Sequence, residues 1–414
     1  MSLFIRAARA LLFGAPVGQG HGESGQGSGG AAAAAGVVRT HLRVQGDRIV
    51  AIGDLLTALP GERVLDARGR VLLPGFVDAH THALWAGDRL DEWELQRRGA
   101  SYLELLAAGG GILATVRAVR AASEDDLTAA LSARLARMLR EGTTTVEVKS
   151  GYGLTTADEL KMLRAIAASA RSFPGTVVPT ALLGHALDPA EPGLVDRVIT
   201  ETLPAVHDEF PGITVDAFCE HGAWSVDACR RLLERARTLG HPVRLHADQF
   251  HRTGGLPLAI ALGARSVDHL EASSPHDLRA LAEAGVYGVM LPATGFHTDG
   301  RYADPRPFLD AGGALVLASN CNPGSSPTSS MPFVAALGRR KLGLDLSETL
   351  SAITSGPAKL LDLPDRGRIA CGMRADLVLL CHEDPRELAY QLGGNPVDAV
   401  ICGGALVSPS QEEL

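Results

Sequence analysis

The middle of the chain repeats one pattern eight times: a short apolar segment that predicts a β-strand, then a longer segment of helical periodicity. The predicted strands cover residues 71–80, 143–150, 176–185, 213–220, 242–248, 264–271, 285–292 and 313–320. Strands that are apolar along their whole length and alternate with helices are typical of parallel sheets buried under helices. Eight such units favour an α/β fold of the (β/α)8 TIM type, a closed barrel, over an open sheet.

Both ends of the chain carry a different pattern, that of short alternating strands. Residues 37–53 predict an antiparallel hairpin around a Gly-Asp turn, and similar strands return near the C-terminus. A segment rich in Gly, Ser and Ala, residues 17–36, predicts a flexible loop. The predicted domains are the N-terminal part of a small composite β-sandwich at 1–68, the barrel at 69–365, and the C-terminal part of the sandwich at 366–414.

Composition and charge narrow the classes of protein and partner. A chain that is 46% hydrophobic and 21% charged is not intrinsically disordered. Its 39 Lys and Arg against 47 Asp and Glu give a net charge of −8, so nucleic acid and membrane surfaces are not expected partners, and an anionic substrate needs local cations. Sparse cysteines, arginines that interrupt the apolar start, and the lack of an apolar run near ~18 residues favour a cytoplasmic protein.

The first predicted barrel strand ends in DAHTH, which places His80 and His82 two residues apart. On extended backbone, side chains at i and i+2 point the same way, so both imidazoles can face one point above the barrel. Neutral imidazoles suit a divalent ion such as zinc, iron, manganese or nickel. Histidines also stand at the ends of three later strands, as His185, His246 and His269. Because barrel enzymes carry their chemistry at these strand ends, the sequence predicts a metal-dependent active site there.

Several motifs, in order along the chain, carry a family resemblance. PGFVDAHTH, LHAD, SVDHLE and NPGSSP resemble the amidohydrolase superfamily of metal-dependent hydrolases, which combine a barrel with a composite terminal β domain. Within it, VEVKSGYGL, LLGHA, VDAFCEHG, LHADQF and NCNPGSSP are similar to the imidazolonepropionase family of histidine degradation. The resemblance implies a cytoplasmic, homodimeric enzyme that uses one zinc or iron ion. The implied reaction hydrolyses the cyclic amide of 4-imidazolone-5-propanoate, a small anionic molecule, to N-formimidoyl-L-glutamate.

The resemblance also implies which residues hold the metal. His80, His82 and His246 match the three histidine ligands. The family's fourth ligand is an aspartate at the end of the last strand, where this chain has Asn320. An amide oxygen can ligate, but it is neutral and cannot accept a proton, so we expect weaker metal binding and no base at this catalytic position. The bridging lysine of binuclear relatives belongs to the fourth strand, whereas Lys149 follows the second, which predicts a single metal.

Catalytic and substrate-binding roles are implied in the same way. His269 matches the superfamily histidine that handles protons at the reacting centre, and the amide at position 320 makes it the expected general acid and base. Gln249 replaces a family glutamate and is expected to hydrogen-bond the substrate ring. Arg89 matches the arginine that binds the propionate, for which a planar guanidinium is suited. The remaining matches are to residues that contact the ring or hold the open-chain product, namely Tyr152, His185, Asn322, Gly324 and Ser325.

Two alternatives to this interpretation remain open. Asn320 motivates the first, a catalytically impaired binding protein that keeps the amidohydrolase fold. Retention of the other matched positions argues against it, because a decayed site would lose several of them. The second is another cyclic amidase or deaminase of the superfamily, which the NPGSSP and VEVKSGYGL motifs weaken.

Overall fold

The computed structural model describes residues 2–12, 36–99 and 110–408. The predicted flexible loop at 17–36 lies outside the described residues, except for its last glycine. Among the described residues no helix is both long and apolar enough to cross a membrane.

Sixteen β-strands occur in the described residues. They are β1 (Ser2–Leu12), β2 (Gly36–Gln45), β3 (Arg48–Gly53), β4 (Arg63–Asp66), β5 (Val71–Pro74), β6 (Phe76–Asp78), β7 (Thr143–Lys149), β8 (Thr176–Gly184), β9 (Thr214–Cys219), β10 (Leu245–Ala247), β11 (Ser266–His269), β12 (Tyr287–Met290), β13 (Leu315–Leu317), β14 (Leu377–Leu380), β15 (Val397–Cys402) and β16 (Ala405–Ser408).

Fifteen α-helices and one π-helical segment (Val198–Thr202) occur in the same residues. The helices are α1 (Leu90–Arg97), α2 (Ile112–Ala121), α3 (Glu124–Arg140), α4 (Thr156–Ser172), α5 (Leu194–Arg197), α6 (Leu203–Glu209), α7 (Val226–Thr238), α8 (Gly255–Leu262), α9 (Pro275–Glu283), α10 (Pro292–His297), α11 (Arg306–Asp310), α12 (Met331–Lys341), α13 (Leu346–Ala352), α14 (Ser355–Leu360) and α15 (Glu387–Tyr390).

The strands β6 to β13 form one sheet in chain order, the nearly closed parallel barrel that the sequence predicts. Hydrogen bonds also join the segments that follow its first and last strands, β6 and β13. The Asn320 amide donates to the His80 carbonyl at 3.0 Å, and the His82 amide donates to the Cys321 carbonyl at 3.0 Å. The prediction of eight barrel strands is therefore confirmed, and the segments after the first and last strands are adjacent.

The first predicted strand, 71–80, consists of two strands that belong to different sheets. β5 pairs with β1 and β14, whereas β6 begins the barrel sheet. Gly75 separates them, and a Cβ at this position would lie 2.2 Å from the Thr144 hydroxyl oxygen, so only glycine fits. An apolar run that is continuous in sequence therefore contains a change of sheet.

The strands from the two ends of the chain form a separate sheet in the order β16-β15-β14-β5-β1-β2-β3, with β4 beside β1. The predicted hairpin at 37–53 is β2 and β3, and its register pairs Gln45 with Arg48. This confirms a small β domain built from both termini. The buried apolar side chains of these strands form one cluster, which includes Ile5, Leu42, Val44, Ile49, Leu72, Leu377, Leu379 and Ile401.

The chain divides into two compact units. One comprises Met1–Val77, Met138–Thr145 and Ser330–Leu414, and contains the terminal sheet. The other comprises Asp78–Arg137 and Val146–Ser329 and contains every residue predicted for the site. The domain boundaries at 69 and 365 stay predictions.

Candidate active site

Three histidines from two distant parts of the chain lie together at the carboxyl ends of the barrel strands. His80 and His82 follow β6, and His246 lies within β10. The ring centroids are 4.5 Å apart for His80 and His246, 5.3 Å for His80 and His82, and 5.4 Å for His82 and His246. One nitrogen from each ring lies within 4.8 Å of the other two, and all three side chains are buried. The cluster can hold a divalent metal ion.

Two carboxylates fix the protonation of this cluster. His80 Nδ1 donates to Asp268 Oδ2 at 2.6 Å, and His246 Nδ1 donates to Asp216 Oδ1 at 3.2 Å. Because a carboxylate only accepts, each Nδ1 carries the proton and each Nε2 presents a lone pair. Burial also lowers the pKa of all three cluster histidines. His80 Nε2 is buried and has no hydrogen-bond partner among the described residues, as expected of a metal ligand.

Buried cations hold these two carboxylates in turn. Lys149 Nζ lies 2.8 Å from Asp216 Oδ2 and 2.7 Å from Glu147 Oε1, and Arg244 Nη2 lies 2.6 Å from Asp268 Oδ2. Although burial acts to raise the pKa of Asp216, the nearby imidazole and ammonium groups hold it well below its ordinary range. The two aspartates therefore support the histidines, and Lys149 is occupied by ion pairs.

Asn320, which stands where the family has aspartate, follows β13 and has a positive φ of 54°. Its Nδ2 donates to the Thr294 hydroxyl at 2.8 Å. Its Oδ1 is buried and lacks a partner among the described residues. A buried amide oxygen without a donor is costly, and a cation bound beside it would offset that cost. The donor set of three imidazoles and one amide oxygen fits a divalent metal, with one negative charge fewer than the family's set.

His269 is the last residue of β11 and is buried next to the cluster. Its ring centroid lies 5.6 Å from that of His246 and 6.0 Å from that of His80. Its Nδ1 lies 3.3 Å from Glu271 Oε1, so the carboxylate can hold this nitrogen as the donor. Nε2 is then the nitrogen that can take up a proton.

A cavity of about 810 Å³ opens above the cluster. All predicted site residues other than the fully buried His80 line it: His82, Arg89, Tyr152, His185, His246, Gln249, His269, Asn320, Asn322, Gly324 and Ser325. The structure thus brings residues at or after the ends of six of the eight barrel strands to one space, as the position of active sites at strand ends predicts.

Arg89 is held by an acidic residue that the sequence analysis missed. Its Nε donates to Glu92 Oε2 at 2.7 Å and its Nη2 to the other Glu92 oxygen, while Nη1 lies 3.4 Å from the Thr115 hydroxyl. Glu92 also accepts from the Gly111 amide at 2.7 Å. A Cβ on Gly324 would lie 3.4 Å from Nη1, so this nitrogen faces the NPGSSP turn. The i, i+3 spacing of Arg89, which immediately precedes α1, and Glu92 in its first turn was the available signal for the pair.

A second buried glutamate, Glu159 of α4, shapes the loop that carries Tyr152. Its carboxylate accepts from the amides of Gly151, Gly153 and Leu154 at 2.8–2.9 Å. The Gly151 carbonyl in turn lies 2.9 Å from Nδ1 of His185.

His185 is therefore a fixed tautomer. Because a carbonyl only accepts, Nδ1 is the donor and Nε2 is left as an acceptor toward the cavity. Burial, together with the neighbouring His246, lowers the pKa of His185 to about 3. Its ring stacks on that of His82 with centroids 5.0 Å apart. The neutral ring can accept a hydrogen bond from a substrate N–H.

The NPGSSP turn is held by its own asparagine. Asn322 Oδ1 accepts from the amides of Gly324 at 2.9 Å and Ser325 at 2.7 Å, and its Nδ2 donates to the Asn320 carbonyl at 2.6 Å. The Asn322 amide thus organises the turn beside Asn320, and its neighbours Gly324 and Ser325 line the cavity.

Glu220, at the end of β9, holds the segment after β10. Its Oε2 accepts from the amides of Phe250 at 2.8 Å and His251 at 3.2 Å, and its Oε1 accepts from the His221 amide at 2.8 Å. Although burial acts to raise the pKa of Glu220, these backbone donors lower it. The carboxylate thereby fixes the position of Gln249, which precedes Phe250 and lines the cavity.

Comparison with known proteins places this arrangement in a family. The sequence model of the amidohydrolase family matches residues 71–407. The chain is 46% identical over 386 residues to an imidazolonepropionase of Herpetosiphon aurantiacus, an alignment that spans 89% of this chain and 90% of the relative. It is 45% identical to an imidazolonepropionase of Rubrobacter xylanophilus, over 89% of this chain and 91% of the relative.

Solved structures agree on the fold. An atrazine chlorohydrolase of Arthrobacter aurescens, solved with zinc, superposes with a TM-score of 0.69 at 19% identity, covering 98% of this chain and 94% of the other. An N-isopropylammelide isopropylaminohydrolase of Burkholderia multivorans gives 0.68 at 20% identity, with 98% of each chain covered. At these identities the likeness concerns the fold. The family match and the relatives above 40% identity show that the chain belongs to the amidohydrolase family and, within it, to the imidazolonepropionases.

Proposed function

We propose that the chain hydrolyses 4-imidazolone-5-propanoate to N-formimidoyl-L-glutamate, as a hydrolase of carbon–nitrogen bonds in a cyclic amide. The observation that carries this proposal is the buried cluster of His80, His82 and His246 below a cavity of about 810 Å³. Nδ1 of His80 and Nδ1 of His246 each donate to a carboxylate, which leaves the Nε2 lone pair of both rings available to a metal. The relatives at 45–46% identity, which are imidazolonepropionases, support the choice of substrate.

One zinc or iron ion, held by the three histidines and Asn320 Oδ1, would supply Lewis acidity and make a water molecule nucleophilic near neutral pH. The chain's own residues prepare that position. Asp216 and Asp268 keep the imidazoles oriented, and the ion pairs of Lys149 and Arg244 keep the carboxylates in place.

His269 moves the proton in this proposal. In the reaction, water adds its oxygen to the ring carbonyl carbon, the bond from that carbon to the ring nitrogen breaks, and the nitrogen takes a proton. Asn320 is an amide and cannot relay this proton. His269 Nε2 is the free nitrogen beside the cluster, because Glu271 lies against Nδ1. General acid and base catalysis of this kind contributes about 10²–10⁴-fold to a rate.

Side chains in the wall of the cavity orient the substrate. Arg89, clamped by Glu92, offers Nη1 to the propionate. His185 Nε2 accepts a hydrogen bond from a ring N–H, and Tyr152 and Gln249 complete the contacts to the ring. Gly324 and Ser325, in the turn that Asn322 holds, bind the open-chain product. Holding the ring in this way makes attack nearly intramolecular.

Two competing proposals differ in what they predict for turnover. A binding protein without activity would bind the substrate and leave it intact. Another cyclic amidase or deaminase would act on a different ring. Neither is favoured by the relatives, which are imidazolonepropionases across about nine-tenths of this chain.

The deciding experiment incubates purified, metal-loaded protein with freshly generated imidazolone propionate and follows the loss of its ultraviolet absorbance. We expect turnover by the wild-type chain and higher metal affinity in Asn320→Asp, because a carboxylate adds a negative charge that the amide lacks. The Thr294 hydroxyl, which accepts from Asn320 Nδ2, can turn to donate to the new carboxylate. Activity that appears only in Asn320→Asp would contradict turnover by the chain as it stands, and inactivity of both would contradict the substrate.

The finer parts of the proposal are the number and kind of metal, the oligomer and the location. We propose one zinc or iron ion per chain at this site, a homodimer and a cytoplasmic enzyme without nucleic acid or membrane partners, as the family resemblance implies. Elemental analysis tests the metal, and sedimentation of the purified protein tests the dimer.

A further inference from the structure

A second group of metal-ligating side chains lies at the mouth of the cavity, apart from the catalytic cluster. It consists of Glu220, His221 and His251, and we name it the mouth cluster. One ligand atom from each lies within 4.8 Å of the other two. The rings of His221 and His251 stack with centroids 4.6 Å apart and planes inclined by 26°.

The carboxylate of the mouth cluster is fixed before any ligand arrives. The Glu220 side chain is only 2% exposed, and three backbone amides donate to its two carboxylate oxygens. The His251 side chain, in contrast, is 57% exposed. His251 Nδ1 lies 2.9 Å from Glu220 Oε1. One anchored carboxylate and two accessible imidazoles are the ligand types of a 2-His-1-carboxylate site for a divalent transition metal, with remaining positions open to water.

The charged side chains around the mouth cluster do not repel a bound cation. Arg301 donates to the Phe250 carbonyl at 3.2 Å, but its guanidinium is paired with Asp299 at 2.9 Å and so is largely neutralised. Arg252 is paired with Asp277 at 2.7 Å. The Asp248 carboxylate lies on the segment between Gln249 and β10, with one buried oxygen that lacks a partner among the described residues. The local field therefore does not oppose a divalent ion.

We propose that Glu220, His221 and His251 form a second, solvent-accessible site for a divalent transition metal such as Zn²⁺, which inhibits the enzyme when filled. On binding, the ion replaces the proton between His251 Nδ1 and Glu220 Oε1, and that proton leaves to solvent. The cluster joins the segments after β9 and β10, and the second of these carries Gln249. A bound ion locks both segments and narrows the way into the cavity.

Metal stoichiometry tests the site without reference to activity. The protein, with its catalytic cluster loaded with metal, is dialysed to equilibrium against increasing concentrations of Zn²⁺. We expect wild type to bind one further, weaker equivalent, and His221→Ala and His251→Ala each to lose it while keeping the first. The matched control is His276→Ala, which removes an exposed imidazole of α9 and is expected to bind as wild type does.

Two results would overturn the site: a wild type that saturates at one equivalent, or a second equivalent that persists in both variants. His246→Ala separates the clusters further, since it should lose the first equivalent and retain the second. The inhibition rests on the proposed function. Where turnover is measured, excess Zn²⁺ should slow wild type and His276→Ala but not His251→Ala, and equal inhibition of all three would refute an inhibitory role for the mouth cluster. Failure of turnover altogether would leave the dialysis result standing.

Discussion

The catalytic cluster and the mouth cluster use the same ligand chemistry at two depths. His80 and His246 are 0% and 3% exposed, and each donates to an aspartate that a buried cation holds. His251 is 57% exposed and contacts Glu220, which is held, among the described residues, by backbone amides and an imidazole. At depth, then, neighbouring charges determine both the protonation and the orientation of the rings. At the mouth, water molecules and free rotation about the side-chain χ angles of His251 oppose the binding of a ligand.

Histidine spacing in the sequence therefore predicts which imidazoles lie together. The buried ion pairs around them determine which ring nitrogen carries the proton and how each ring is oriented. A buried imidazole without a fixed partner is free to adopt the wrong tautomer.

The largest effect is expected for His269→Asn, which removes the proposed proton carrier beside the deep cluster. The kcat should fall about 10²–10⁴-fold with little change in KM, because a proton transfer and no binding contact is lost. Steady-state kinetics with imidazolone propionate give both constants. The control is His276→Asn on the exposed face of α9. A His269→Asn enzyme with unchanged kcat would show that another group moves the proton.

Arg244→Met should destabilise the fold by about 3–5 kcal/mol, because Asp268 loses its buried cation and Glu147 loses one of its two. Arg301→Met, which breaks the half-exposed pair with Asp299 near the mouth, should cost about 0–1 kcal/mol. Urea unfolding of both variants gives the two free energies. Similar losses in the two would mean that depth does not set the strength of these pairs.

Asp216→Asn should weaken metal binding at the catalytic cluster about 10–100-fold, because an amide does not hold the His246 Nδ1 proton as a carboxylate does. Competition with a coloured chelator measures the dissociation constant. Asp299→Asn is the matched variant at the surface and is expected to leave the constant unchanged. Equal metal affinity in Asp216→Asn and wild type would show that another group orients the His246 ring.

Counted per pH unit, the smallest change in stability is expected in the pH dependence of unfolding. Burial and His246 lower the pKa of His185 to about 3 from an ordinary value of 6.5, so between these values the unfolded chain binds more protons than the folded one. The stability contributed by the neutral ring is therefore complete above pH 6.5 and is lost as the pH falls, by at most about 1.4 kcal/mol per pH unit. His185→Gln should flatten the slope of unfolding free energy against pH by that amount. An unchanged slope would contradict a buried, neutral His185.

The strand pattern alone predicted the barrel and the terminal sheet, since apolar strands alternating with helices leave few other folds. It could not show that residues 71–80 contain a change of sheet. Sequence continuity hides the change, and only the approach of Thr144 to Gly75 reveals why glycine stands there.

For the site, H-x-H spacing and strand ends predicted which histidines meet, and the structure brings them together. The supporting charges were missed, although a signal existed. Asp216, Arg244 and Asp268 interrupt apolar strands, and a charge inside a buried strand must be paired. Which charges pair could not be read from the sequence, because partners such as Lys149 and Asp216 lie on different strands and meet only when the barrel closes.

The composite terminal sheet has a consequence for synthesis on the ribosome. β1 to β5 leave the ribosome before the barrel, yet among the described residues the second edge of β5 pairs with β14, which is translated after the whole barrel. At ~5–20 residues per second this delay is on the order of tens of seconds. Throughout it, the apolar strand β5, VLLP, presents an unpaired edge to other nascent chains, so this edge exposes the growing protein to aggregation.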